Sequence, residues 1–230
     1  MAGSSAEERI REKAVAMLRQ RYPAARIIHE LKLNDDIRID LAAVTTDRIA
    51  LVEIKSEKDT LKRLGPQLLR ASEVGQDVYL VMHDSHKDRL EAARCLSMYD
   101  RVNDDLKALC DKHRARVAAL DGRERSAVES AAHLFEAEDR AALAHGHTMW
   151  RPNGWNTIRP RVLLYMLWAG ELRQIGFRHR LHQSPKLPMF DSIDLICEHL
   201  SGREIRREVC AALRTRTFAR ADAPIEQVAA

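Results

Sequence analysis

Asp40-Leu-Ala-Ala-Val-Thr-Thr-Asp-Arg-Ile-Ala-Leu-Val-Glu-Ile-Lys55 is the stretch that decides how this chain folds. It reads as two short strands joined by a polar turn at Thr45-Thr46-Asp47-Arg48. Ile37, Ile39 and Leu41 alternate with Arg38, Asp40 and Ala42 on the first strand. On the second, Ile49, Leu51, Glu53 and Lys55 share one face, and Val52 and Ile54 take the other. A symmetric turn makes paired positions sum to 93, which puts Asp40 opposite Glu53. Two facing carboxylates destabilise a sheet unless positive charge sits between them, and Lys55 is the next residue on that face. The pattern suits a metal site better than a bare surface.

Working outward, residues 6–21 read as an amphipathic helix with Ile10, Ala14, Met17 and Leu18 on one stripe, stopped by Pro23. Residues 26–33 form a strand candidate, and Asn34-Asp35-Asp36 is a turn into the hairpin. After the hairpin, Asp59 or Thr60 can cap a helix over 61–74, in which Pro66 either falls in the first turn or kinks the helix after a short lead-in, with Gly75 as its stop. Residues 77–82 are apolar enough for a buried strand. The crossover helix rules out a tight hairpin, so this strand should pair in parallel with an earlier one. Helices are expected over 87–96 and 104–113, and a further strand over 114–120. From residue 124 strand signals vanish. Helices are expected at 126–144, 160–175, 190–200 and 202–215, with the Gly/Pro/Trp-rich passage 145–160 as a joint.

With 230 residues the chain has room for one domain or two small ones. No apolar run approaches the roughly 20 residues that span a bilayer, and the N-terminus lacks the apolar core of a signal peptide. Cys95, Cys110, Cys197 and Cys210 form no C-x-x-C pair and read as reduced core thiols, which points to the cytoplasm. A net charge of +4 with a pI near 9.0 fits nucleic-acid binding only weakly. The distribution says more: Lys55, Lys58, Lys62, Arg63 and Arg70 follow the hairpin, and six arginines fall between Arg203 and Arg220.

Asp40, followed thirteen residues later by Glu53-Ile54-Lys55, in a helix–strand–strand–strand–helix–strand order, resembles the PD-(D/E)xK nuclease superfamily, the restriction-endonuclease-like fold. More narrowly, Arg38-Ile-Asp40, Glu53-Ile-Lys-Ser56, Asp59-Thr-Leu61, Arg63-Leu64 and Gln67 look like a small bacterial and phage branch related to DNA-repair and junction-resolving nucleases. The likeness covers about residues 6–82. Ile39 stands where the family name puts a proline, which leaves the acid intact. Ala71 stands where related nucleases often carry an aromatic residue.

The resemblance implies an α/β restriction-endonuclease-like core over residues 1–120. An all-helical C-terminal region over 121–230 would shape a substrate groove or a homodimer. It implies a divalent-metal-dependent deoxyribonuclease that hydrolyses phosphodiester bonds. Asp40, Glu53 and the Ile54 carbonyl would hold the ion, and Lys55 would position the attacking water or stabilise the developing charge. The oxygen-rich donor set favours Mg²⁺ or Mn²⁺ over zinc. Glu30 pairs with Asp40 if the 34–36 turn holds three residues, and would then be a third ligand or supporting acid; with a two-residue turn it points away. Glu7, Glu8 or Glu12 could serve instead. Gln67 would touch phosphate or water, and Lys58, Lys62, Arg63 and Arg70 would grip the DNA backbone.

Rival readings are a catalytically weak or inactive nuclease-fold module that binds nucleic-acid structures or a protein partner, and a regulator whose basic helical half binds DNA or protein. His145, His147, His179 and His182 match no zinc spacing and read as structural. Trp150-Arg-Pro-Asn-Gly-Trp155 with Arg159 and Arg161 either stacks bases or packs between helices, the latter being favoured.

Overall fold

The first helix follows from its charges and its stripe. Glu7 and Glu8 open α1 (Ser5–Arg21), Arg19 and Arg21 close it, and both ends complement the helix dipole. Ile10, Ala14 and Leu18 recur every four residues and are fully buried. The computed structural model describes residues 5–33, 37–86, 141–144, 147–150, 158–182 and 184–225. The expected helices near 87–96 and 104–113, the strand near 114–120, the 34–36 turn and the boundary near residue 120 lie outside the described residues.

Three strands follow α1: β1 (Arg26–Lys32), β2 (Arg38–Val44) and β3 (Ile49–Lys55). Then come α2 (Leu64–Val74), β4 (Asp77–His83) and a single 3-10 turn at Asp84–His86. The expected order of helix, three strands, helix and strand is therefore present. Every residue of β3 is buried, as is β4 up to Met82, so both read as interior strands with little polar alternation. Gly75 ends α2 with ordinary backbone angles. Leu51 packs close there, its side chain 3.0 Å from where a Cβ would sit, so any larger residue would have to push it aside.

Two short strands that the sequence reading did not expect complete the set: β5 (Ala141–Ala144) and β6 (His147–Trp150). The sheet order is β1-β2-β3-β4-β6-β5. The helix expected over 126–144 is thus wrong at its end, and strand structure does not stop at residue 124. Ala-Ala-Leu-Ala favours a helix by propensity, but pairing with a neighbouring strand overrides that preference. The 145–160 joint likewise contains β6. Among the described residues four helices follow: α3 (Pro160–Leu164), α4 (Ala169–Arg178), α5 (Met189–His199) and α6 (Gly202–Thr215). The single helix expected over 160–175 is broken at Tyr165–Trp168, where the Trp168 N–H is taken by the Glu171 carboxylate at 2.7 Å to start a new helix. The chain is a mixed α/β protein with helices toward its C-terminus. No helix among the described residues is long and apolar enough to cross a membrane.

By proximity the chain sorts into two compact units. One comprises Met1–Met17, Val52–Leu69 and Val78–Trp155; the other comprises Leu18–Leu51, Arg70–Asp77 and Asn156–Ala230. In the first, β6 pairs antiparallel with β4 from Leu80↔Trp150 to His83↔His147, and β5 pairs antiparallel with β6.

In the second unit β1 and β2 pair antiparallel, with partners such as His29↔Leu41 and Leu31↔Ile39. Gln76 takes the Ile49 N–H on its side-chain oxygen (2.6 Å) and donates its own N–H to the Ile49 carbonyl (2.9 Å). The chain entering β4 is therefore fastened beside the start of β3, as the expected parallel sense requires. The other edge of β1 is covered by the C-terminal segment. Asp222 N–H donates to the Ile27 carbonyl, Ile27 N–H to the Asp222 carboxylate and His29 N–H to the Arg220 carbonyl, each at 2.9 Å. A covered edge offers no template for another chain.

Arg26 holds the same region from inside. Only 1% exposed, it donates to the carbonyls of Leu213, Arg214, Arg216 and Asp222 at 2.6–3.0 Å. These include carbonyls at the end of α6 that have no helical partner. The start of α6 is closed by Ser201 and Glu204, each side chain bonding the other's backbone N–H. Cys210 faces the core, and burial pushes its thiol up to about 12. It therefore behaves as a small apolar residue.

Candidate active site

Glu53 and Lys55 are two residues apart on β3, and alternation puts their side chains on one face. Both are buried, Glu53 2% and Lys55 7% exposed. The Lys55 Nζ donates to Glu53 Oε1 at 2.5 Å and to Gln67 Oε1 at 3.0 Å. Gln67 reaches this point because α2 starts only three residues earlier, with Pro66 in its first turn, where no backbone N–H is needed. The Gln67 N–H donates back to the Arg63 carbonyl at 3.1 Å. A buried ammonium is tolerated only when its protons find acceptors, and here a carboxylate and an amide oxygen supply two. The result is a compact, charge-compensated Glu53–Lys55–Gln67 cluster. Ile54 lies between the two charged residues and is buried.

The chain leaving Lys55 is fixed just as firmly. The Asp59 carboxylate accepts the Ser56 N–H at 2.6 Å and the Ser56 Oγ–H at 2.7 Å. The Ser56 carbonyl accepts the Asp59 N–H at 3.1 Å and lies 2.9 Å from Nε2 of the buried His86. A carbonyl can only accept, so that ring nitrogen carries the proton. Sequence reasoning missed His86: thirty positions separate it from Ser56, and no motif spacing links them. Lys58, Lys62 and Arg63 are exposed along the segment that follows. Glu7 on α1 meets the buried Arg11 at 3.4 Å; Glu8 is half-buried and Glu12 exposed.

Asp40 and Glu30 belong to the second unit. Asp40 is half-buried on β2. Paired positions of β1 and β2 sum to 70, and the Leu33 N–H meets the Ile37 carbonyl at 2.9 Å. By that sum position 30 falls opposite position 40, between the pairs His29↔Leu41 and Leu31↔Ile39. Glu30, however, has a left-handed backbone (φ 56°), and its carboxylate lies 3.3 Å from the Arg38 guanidinium. At the far end of β2 the Thr45 N–H donates to the Arg48 carbonyl at 2.9 Å, a pair that sums to 93 as the symmetric turn requires. Arg70 is only partly exposed and tied to Glu73 at 2.7 Å, and Arg159 reaches the same carboxylate at 3.2 Å.

The donors suit a hard divalent ion in kind, a carboxylate on Glu53 with the Ile54 carbonyl next to it. Among the described residues no three His, Cys, Asp or Glu side chains gather as a metal-binding group. The side chains of His145 and His147 lie outside the described residues. His179 is occupied by Glu208 at 2.8 Å. Of the aromatic–basic passage, Arg159 pairs with Glu73 and Arg161 with Asp194. The Arg-rich C-terminal segment is partly structural: Arg216 is buried and held by Glu171, and the Arg220 carbonyl fastens β1.

Residues 1–93 match the family described as bacteriophage P4 protein cII. The match spans α1 to β4 and includes Asp40, Glu53, Lys55 and Gln67. No curated protein and no solved structure matches the chain.

Proposed function

We propose that this chain is a metal-dependent nuclease that hydrolyses DNA phosphodiester bonds, built on a restriction-endonuclease-like core and serving a phage or repair role. The buried Glu53–Lys55–Gln67 cluster carries the reading. A strand that buries a lysine against a carboxylate two residues away bears an energetic cost that packing alone does not demand. The Glu-x-Lys spacing and the element order are in keeping with it, and the likeness to a phage P4 protein family supports the phage association alone.

Asp40 would join Glu53 if the sequence pairing on 93 runs the length of the hairpin, and the two carboxylates with the Ile54 carbonyl would take Mg²⁺ or Mn²⁺. The ion would supply positive charge to the phosphate and a more acidic water. Lys55, held on Glu53 and Gln67, would orient that water or meet charge on the phosphoryl oxygens. Gln67 sets the lysine's direction. Glu30 would support Asp40 from β1 after releasing Arg38. Lys58, Lys62 and Arg63 supply exposed charge for the DNA backbone, and Arg70 would join them by leaving Glu73.

A second reading rests on one observation: the Lys55 ammonium already engages Glu53, which suits a structural pair in a module that binds nucleic acid without cutting it. The deciding experiment incubates purified protein with Mg²⁺ or Mn²⁺ and linear, circular, single-stranded and branched DNA. Wild type should cut at least one substrate, and Asp40→Ala, Glu53→Ala and Lys55→Ala should each abolish cutting while remaining folded by circular dichroism. Cleavage that survives Glu53→Ala refutes the site. Calorimetry that finds no divalent ion bound at millimolar concentration favours the binding module.

A further inference from the structure

Within the second unit lies a cavity of about 800 Å³ that the cleavage reading does not use. Its size falls in the range of sites that enclose small organic ligands, roughly 300–1,000 Å³. Trp168 and Phe190 line it and are 62% and 61% exposed. Large aromatic surface left in water costs the fold stability that burial would supply, and here both rings are also braced. Glu171 accepts the Trp168 backbone N–H at 2.7 Å and holds the Arg216 guanidinium. Arg216 lies 4.6 Å from the centre of the Trp168 ring and donates to the Met166 carbonyl at 3.0 Å. One face of the indole therefore rests on a fixed, buried cation. Phe190 is met edge-on by Tyr165, with ring centres 6.4 Å apart.

Charge selects the occupant. The ionic lining residues are Lys32, Arg70 and Arg216 against Glu30. Arg216 is answered by Glu171, but Arg70 shares Glu73 with Arg159, so one carboxylate faces two guanidinium groups. Lys32 is exposed at the end of β1. The cavity thus joins two exposed ring surfaces, Trp168 seated on Arg216 and Phe190 edge-on to Tyr165, to an excess of positive charge. That chemistry fits a planar heterocycle carried on an anionic backbone, and suits an apolar peptide less well. Glu30, in its left-handed conformation, stands at this lining, and such strain persists where surrounding structure over-determines a site.

We propose that this cavity holds an unpaired base of single-stranded DNA, stacked on Trp168 and Phe190, with the flanking phosphates met by Lys32 and Arg70. The braced rings lose little freedom on binding, which lowers the cost of ordering. The site works without a metal and does not depend on cleavage.

The test is fluorescence anisotropy of labelled oligo(dT), an abasic strand of equal length and the matching duplex, all in EDTA so that nothing is cut. Wild type should bind oligo(dT) at least about fivefold more tightly than the abasic strand, since stacking is worth roughly 1–3 kcal/mol per base. Trp168→Ala and Phe190→Ala should each weaken oligo(dT) binding by about 5- to 150-fold. They should leave the abasic strand unaffected, and Trp168→Phe should restore most of the affinity. Equal binding of the abasic strand and oligo(dT) overturns the proposal. So does unchanged affinity in both alanine variants, or no binding of oligo(dT) at low salt. Failure to cut DNA would count against the nuclease reading without touching this result.

Discussion

Replacing Lys55 by Met separates the structural from the chemical role of the β3 cluster. The Nζ–Oε1 distance of 2.5 Å corresponds to roughly 7 kcal/mol of gross attraction at an effective dielectric of about 20. Desolvation of two groups this deeply buried offsets much of that, so the intact pair stabilises little. Breaking it is another matter, because the remaining carboxylate keeps its desolvation cost and loses its counter-charge. Lys55→Met should therefore cost about 3–5 kcal/mol of unfolding free energy, against about 0–1 kcal/mol for an exposed pair. Glu53→Gln should also destabilise, stranding the ammonium with amide partners. The double variant Glu53→Gln/Lys55→Met removes both charges and should recover most of the loss, with a coupling energy of at least about 2 kcal/mol. Urea denaturation at pH 7 in EDTA measures all four corners of the cycle. Cleavage, measured on folded protein, should not recover in the double variant even though stability does. If each single change costs under about 1 kcal/mol and the two simply add, the cluster is neither buried nor coupled as described.

Arg26→Met should cost about 3–5 kcal/mol in the same assay, because four carbonyls lose a charged donor inside the fold. Arg26→Lys should rescue little of it, since one ammonium cannot replace the guanidinium fork, and near-wild-type stability of either variant would refute the clamp. Asp222 gives a pH signature. Burial pushes its carboxyl up, but the hydrogen bonds from Arg19 and the Ile27 N–H outweigh this and hold it below the ordinary value. Its contribution should be complete above the unfolded-state value of about 3.9 and fade as pH falls through the lower folded-state value. The stability gap between wild type and Asp222→Asn should accordingly be flat near neutrality and close only in acid; a gap that closes near pH 6 would contradict it.

Much of the first third of the chain could be read in advance because its signals are local. Alternation placed Glu53 and Lys55 on one face, and the polar turn set the 93 pairing seen at Thr45 and Arg48. Ser201 and Glu204 start α6 through short-range bonding alone. The misreadings came where distant parts of the chain compete with local preference. Ala141–Ala144 is helix-prone but joins a ladder. Residues 165–168 carry no strong breaker, yet the helix stops there, and Glu171 on the next helix also holds Arg216 from far along the chain.

What the sequence determined by itself was the set of elements from α1 to β4, their order, and which side chains share a face, since backbone periodicity and turn length fix these within a few residues. Only the tertiary structure decided that Lys55 is buried on Gln67 and that Glu30 turns to Arg38. It also decided that Arg26 closes the end of a helix nearly two hundred residues away, and that Trp168 stands exposed on Arg216. Burial and charge pairing depend on which segments meet, and a buried lysine and a solvated one are spelled the same way.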